Sequence, residues 1–242
     1  MPAPPAGLCD SCRHQRVVRN TRGSSFSLCE RSRRDDRYAR YPRLPVVSCA
    51  GFAPRRCWPT TDPLYIAYHD EEWGRPVRDD AQLLERLCLE GFQSGLSWLT
   101  ILRKRERFRE LFEGFDPQRL ARLGVADVDR LMGEAGIVRN RAKIEATIAN
   151  AGATLALQEA GETLTDLLWS FAPGPQPVPR SLADLPSVTA ESKAMARELR
   201  RRGFRFVGPT TAYALMQAVG IVNDHVAGCI VRAAVEEERP EG

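Results

Sequence analysis

The chain has 242 residues, 43% hydrophobic and 27% charged, proportions that exclude disordered and fibrous classes and allow one sizeable core with a small appendage. No stretch reaches the roughly 18 consecutive apolar residues of a membrane-spanning helix, and the opening MPAPPAGLCDSC lacks the apolar core of a secretory signal, so a cytoplasmic location with no membrane partner is expected. The net charge of +4 is unevenly spread: residues 1–56 carry 12 Arg/Lys against 4 Asp/Glu, and the remainder 23 against 27. A body that is slightly acidic overall still binds DNA where its basic residues cluster, as they do around Arg139–Lys143 and Arg197–Arg205. Arg outnumbers Lys by 32 to 3, a bias that a G+C-rich genome produces without any function.

Residues 1–52 read as a Cys-rich, basic extension with little helical periodicity, and residues 53–242 as a helical domain. Seven cysteines in a reducing compartment read as thiols or metal ligands rather than a disulfide framework, and the odd count agrees. Cys9 and Cys12, two residues apart, with Cys29 and Cys49, can form a four-cysteine metal site in a segment too small to build much core. Zinc is the first reading there; an iron-sulfur cluster is the alternative, because thiolates hold both. A basic tail with incidental cysteines is the remaining reading.

From Cys57 onward the sequence turns to amphipathic helical segments. Asp79, Asp80 or both cap a helix through QLLERLCLEGFQSG, whose Leu83, Leu84, Leu87, Cys88 and Phe92 keep helical spacing. Further helices are expected over 96–112, 117–122, 126–135, 140–158, 162–170, 181–184, 189–201 and 208–220. No strand of convincing length and no internal repeat is found, so the expected class is all-α. In LMGEAGIVRNRAKIEATIANA, Gly136 separates two helical patterns, and Arg139, Asn140 and Arg141 open the second. A tight turn there aims backbone N–H groups and a positive helix end at an anion; an ordinary helix connection is the alternative.

The stretches RCWPTTDPLYIAYHDEEWGRPVRDD and LCLEGFQSGLSWLTILRKRERFRELFEGFDP, then AGIVRNRAKIEATIANA, DLLWSF and GFRFVGPTTAYALMQAVGIVNDHVAGC, closely resemble the 3-methyladenine DNA glycosylase I (Tag) family over about residues 55–232. The resemblance implies a helix-hairpin-helix DNA glycosylase fold with a structural zinc site joining the two ends of the domain. It places the hairpin near Gly136–Lys143, making Gly136, Arg139, Arg141 and Lys143 the candidate DNA phosphate contacts. Cys57, His69, His225 and Cys229 match the family's zinc ligands, a two-Cys, two-His set suited to a closed tetrahedral site. Any one of them alone reads as a buried cysteine or a hydrogen-bonded histidine.

By the same resemblance Tyr68, Glu90 and Trp98 match base-binding residues, and Tyr65 and Trp73 are grouped with them. Singly, each aromatic reads as core and Glu90 as a surface carboxylate. N3-methylation leaves adenine positively charged, so aromatic faces and an anionic Glu90 favour it over neutral adenine. Glu90 is also the candidate catalytic residue, for the developing sugar cation or for orienting water. The implied reaction is base excision repair of 3-methyladenine in double-stranded alkylated DNA by a monofunctional enzyme, with a monomer as the default expectation. A non-catalytic sensor of alkylated DNA is the competing class. No Asp follows the hairpin in IEATIANAGATLALQEAG, and the resembling family likewise lacks one.

Overall fold

A computed structural model of the chain describes residues 5–239. The chain forms two compact units: one of Met1–Pro59, Val178–Asp184 and His225–Ala234, the other of Thr60–Pro177, Leu185–Asp224 and Val235–Gly242.

The first unit opens with a 3-10 turn, Leu8–Ser11, and an antiparallel hairpin of β1 (Gln15–Arg19) and β2 (Ser25–Cys29), in register from Gln15 opposite Cys29 to Arg19 opposite Ser25. The hairpin corrects the all-α expectation to a mostly helical chain with one small sheet. Its strands bury only Ser27 and Leu28, so the apolar alternation that reveals a half-buried strand is missing from the sequence. The turn is held by the Asn20 side chain, which accepts hydrogen bonds from Arg22 N (3.0 Å) and Ser24 N (2.9 Å). The expected helix at 181–184 is a single 3-10 turn, Leu182–Asp184.

The second unit is helical, and most of its helices start where a side chain can cap them. Asp62 caps α1 (Pro63–Ala67), which continues directly into a π-helical turn, Tyr68–Glu72. Neither was expected from the sequence, because one turn carries no periodicity. Asp79 caps α2 (Asp80–Gln93) by accepting from Gln82 N, while Asp80 accepts instead from Leu164 N and Thr165 N. Ser97, Asp116 and Asn140 cap α3 (Trp98–Leu111), α4 (Pro117–Leu120) and α6 (Arg141–Glu159). Gly124 precedes α5 (Val125–Met132), and Thr163 and Thr189 cap α7 (Leu164–Trp169) and α8 (Ala190–Arg201). The last helices are α9 (Pro209–Ala218) and α10 (Arg232–Glu238), the second also absent from the sequence expectation.

Helix α2 is packed against α3, α6, α7 and α9. Every residue from Leu83 to Phe92 is buried, including Glu85, Arg86 and Glu90. Phe92 leads a stack of rings, with centroids 4.6 Å to Phe108, 5.8 Å on to Phe112 and 5.8 Å on to Phe115. Each such side chain contributes about 1.5–3 kcal/mol by burial. Asn150 of α6 holds the chain before α9 with both ends of its amide, accepting from Arg205 N (2.7 Å) and donating to Arg205 O (3.2 Å).

The segment that follows the π turn is fixed by close backbone contact. Val77 N donates to Val219 O (3.1 Å), and at Gly220, φ +78, an added Cβ would lie 2.6 Å from Arg75 C and 2.7 Å from Gly74 O. Gly220→Ala should therefore destabilise the protein by about 2–4 kcal/mol, combining left-handed strain with a clash that only backbone movement relieves. Urea unfolding measures this; a loss below 1 kcal/mol would mean the Gly74–Pro76 loop yields freely.

Candidate functional site

Three charged side chains inside α2 have to be reconciled with burial, since an unpaired charge in a core is costly. Glu85 is met by Arg109, whose Nε and Nη2 each lie 2.9 Å from a carboxylate oxygen. Arg86 donates to Glu72 at 2.6 Å, and Arg105 grips the same carboxylate with two nitrogens at 2.6 and 2.8 Å. Burial pushes the Glu72 carboxyl up, but the hydrogen bonds and charges of Arg105 and Arg86 outweigh it and bring it to about 2. Glu90 has no such partner. It is 6% exposed, no described residue bonds its carboxylate, and burial pushes it up to about 8 against the lowering influence of Arg86.

Aromatic rings surround this carboxylate's neighbourhood. Tyr68, 3% exposed, lies 5.2 Å from Trp98 and 6.4 Å from Tyr65, centroid to centroid. Its hydroxyl is pushed up by burial and then by the charge of Glu90, which places the two groups within electrostatic reach. The Trp98 indole Nε1 is buried without a hydrogen-bond partner. Trp73 stacks on His69 at 6.2 Å and 26°. An unpaired carboxylate, an unpaired indole N–H and two ring faces together suit a flat, positively charged ring with a hydrogen-bond acceptor.

The expected metal ligands are drawn together. The donor atoms of Cys57, His69, His225 and Cys229 all lie within 4.8 Å of one another, and all four residues are buried. His225 Nδ1 is 3.3 Å from Cys57 Sγ and 3.4 Å from Cys229 Sγ. His69 Nδ1 is 2.7 Å from Asp70 Oδ1, which fixes the ring and leaves Nε2 as the donor. The Cys57 thiol is pushed far up by its hydrogen bond with Cys229 and by burial. The donor set fits a tetrahedral ion of borderline softness. Cys9, Cys12, Cys29 and Cys49 are free thiols, and of these four only Cys12 is buried.

The turn between α5 and α6 divides the expected phosphate contacts. Arg139 is exposed, and no described residue pairs with it. Arg141 is tied to Asp129, and lies 3.8 Å from Glu145. Lys143 is the correction: it is buried, and its Nζ donates to Phe92 O (3.0 Å) and Ser94 O (2.9 Å) at the end of α2. Its ammonium is committed to orphan helix carbonyls and is not available to a phosphate. Gly136 serves close packing, since a Cβ would lie 2.4 Å from Arg107 Cγ. Glu72, Arg86 and Arg105 were not anticipated as site residues. Arg86 was detectable in principle, as a charge inside an apolar helical run; Glu72 was not, because its partners are 14 and 33 residues away.

Residues 58–233 match the methyladenine glycosylase family. The chain is 50% identical to DNA-3-methyladenine glycosylase 1 of Escherichia coli K12, over 72% of this chain and 95% of the relative. It is 47% identical to the DNA-3-methyladenine glycosylase of Haemophilus influenzae, over 72% and 96%. A crystal structure of 3-methyladenine DNA glycosylase I superposes with a TM-score of 0.71 at 50% identity, covering 73% of this chain and 98% of the other. The Staphylococcus aureus enzyme, in a study of 3-methyladenine recognition, gives a TM-score of 0.68 at 34% identity, over 76% and 95%.

The unpaired Glu90 sets a pH dependence. With the folded value raised to about 8 from the ordinary 4.5, the folded protein holds a proton that the unfolded chain releases, so stability falls as pH rises through that window. Glu90→Gln removes this loss. The variant should match wild type near about pH 4.5 and exceed it increasingly toward about pH 8, by an amount on the order of a few kcal/mol in urea unfolding. A constant difference across the window would contradict an unpaired, buried carboxyl.

Proposed function

The chain belongs to the methyladenine glycosylase family, and on that footing we propose how its residues release 3-methyladenine from alkylated DNA. The observation that carries the reading is Glu90, a buried carboxylate that nothing described in the protein neutralises, beside Tyr68 and Trp98. A base must leave the duplex stack to reach such a position. Its positive charge relieves what burial imposes on Glu90, whose proton departs as the cation arrives. The rings of Tyr68, Trp98 and Tyr65 supply stacking faces, and the Trp98 Nε1–H supplies a donor. Trp73 backs His69 and steadies the turn that carries Tyr68.

The reaction is hydrolysis of the N-glycosidic bond. The bonding pair of C1′–N9 leaves with the purine and cancels its positive charge, while a water oxygen bonds C1′ and its proton passes to solvent. A cationic purine leaving as a neutral base needs less help than an ordinary one, so no Asp after the hairpin is required. Glu90, ionised once the base is bound, also stabilises positive charge developing on the sugar. Water is the nucleophile in this reading of a monofunctional enzyme: Lys143 is held by two carbonyls, Lys104 by Ala135 O at 2.8 Å, and Lys193 is exposed on α8.

Cys57, His69, His225 and Cys229 hold zinc in this reading, and the ion supplies cross-linking alone, because four protein donors fill a tetrahedral shell. Gly136, Arg139 and Arg141 form the phosphate-facing turn, where Arg139 and the start of α6 meet the backbone of double-stranded DNA. In this reading the protein works as a cytoplasmic monomer.

Purified protein incubated with methylated DNA should release free 3-methyladenine, with little 7-methylguanine or adenine, as read by chromatography of the freed bases. Glu90→Gln should weaken recognition of the cationic base by about 1–3 kcal/mol, the range for a charge-assisted hydrogen bond. Equal release of all three bases would overturn the electrostatic selectivity.

The two basic positions of the turn should separate. Arg139→Ala should lower DNA affinity regardless of sequence and reduce the salt slope by about 1. Lys143→Ala should instead cost about 1–3 kcal/mol of stability by leaving the buried Phe92 carbonyl without its donor. Salt-dependent binding titrations and urea unfolding measure the two; loss of salt slope in the Lys143 variant without loss of stability would reverse the assignment.

A further inference from the structure

The Cys-rich extension is folded with almost no core. Among the described residues up to Arg56, only Ala6, Cys12 and Leu28 are buried apolar side chains, while Val17, Phe26, Tyr41 and Val47 stand exposed. A hairpin of two five-residue strands is marginal in water, and three modest side chains bury too little to order a segment of about fifty residues. Natural segments of this kind are stapled by disulfides or by metal. Here Cys9, Cys12, Cys29 and Cys49 are all free thiols.

The backbone brings these four together by an identifiable route. Cys9 and Cys12 close one tight turn, with Cys12 N donating to Cys9 O at 3.0 Å. Gln15 N donates to Cys12 O (3.0 Å), and Gln15 stands opposite Cys29 in the hairpin, so the turn and the end of β2 are adjacent. The strip that carries Cys49 is pinned on both sides of the turn: Leu8 N donates to Val46 O (2.8 Å), and Arg13 N to Ala53 O (2.9 Å). Cys49 begins its own turn, with Phe52 N donating to its carbonyl at 3.0 Å.

We propose that Cys9, Cys12, Cys29 and Cys49 form a second, tetrathiolate metal centre, and that this centre folds the extension. The ligand chemistry is thiophilic, met by a single zinc ion or by an iron-sulfur cluster. The turn it closes also carries part of the segment bearing His225 and Cys229. Asp10 O lies 2.7 Å from where a Cβ at Gly228 would stand, and Arg55 donates to Cys12 O and Gln15 O, both at 3.2 Å, while Arg55 O accepts from Ile230 N at 3.0 Å. Loss of metal from the extension should therefore loosen its hold on residues 228–230.

The test uses the full chain and reads each cysteine by itself. Native protein is alkylated with iodoacetamide, with and without a strong chelator, and the sites are mapped by mass spectrometry alongside zinc, iron and acid-labile sulfide content. Cys9, Cys12, Cys29 and Cys49 should be protected until metal is removed, with zinc alone or iron plus sulfide leaving in step. Cys12→Ser and Cys49→Ser should each lose that metal, whereas Cys88→Ser, buried outside the extension, should lose none. Protection of Cys57 and Cys229 reports the other cluster independently, so failure of one site is not mistaken for failure of the other. The proposal is overturned if the four thiols of the untreated wild-type chain react as fast as those of the denatured chain, or if their protection survives complete removal of metal.

Discussion

Helix α2 is enclosed on every side, and the electrostatics of the protein follow from that enclosure. A helix that buries ten successive residues leaves no solvent-facing stripe where its charged side chains can be hydrated. Glu85 and Arg86 are answered from α3 and from the π turn, and those answers fix how both elements sit against α2. Glu90 is left to be answered by something that is not protein. The same enclosure buries the Phe92 carbonyl near the end of α2, and Lys143 of α6 donates to it. One buried helix thus ties the packing, the base-recognition carboxylate and the hairpin helix into a single arrangement.

Helix boundaries were the most legible feature of the sequence, and the reason is local. Asp79, Asn140 and Thr189 each cap a helix through hydrogen bonds spanning three residues, so the signal lies inside the segment that it organises. The hairpin of the extension was not legible, because strands with little buried side lack the apolar alternation that would mark them. Lys143 was misread for a different reason. A lysine among arginines at a helix start looks like surface charge, and the two carbonyls that claim it are 51 and 49 residues away in the chain. The site residues Tyr68, Glu90 and Trp98 became readable only as a set that resembles a family. Periodicity alone would have put all three in the core, which is where they are, without saying why one of them is an acid.

Recognition and catalysis draw on the same imbalance. A pocket whose carboxylate were already paired would accept neutral and cationic purines alike, since no penalty would remain for the ligand to relieve. Keeping Arg86 occupied by Glu72 is therefore as important as leaving Glu90 alone: a guanidinium free to turn toward Glu90 would neutralise it from within. Bidentate Arg105 holds Glu72 in that duty. In the proposed reading, selectivity resides as much in this neighbouring ion pair as in the stacking rings.

The π-helical turn Tyr68–Glu72 has a bearing on how the gene can vary. Within five residues it presents a pocket ring, a metal-cluster imidazole, the carboxylate that orients that imidazole, and the acid that occupies two arginines. Deleting one residue would restore α-helical winding and rotate the following side chains by about 100° around the axis. Four functions would be lost through one lesion that changes no individual side chain. Point substitutions can therefore be sampled one at a time along this stretch, but its length cannot drift, and descent in this lineage is expected to admit insertions and deletions on either side of it and none within.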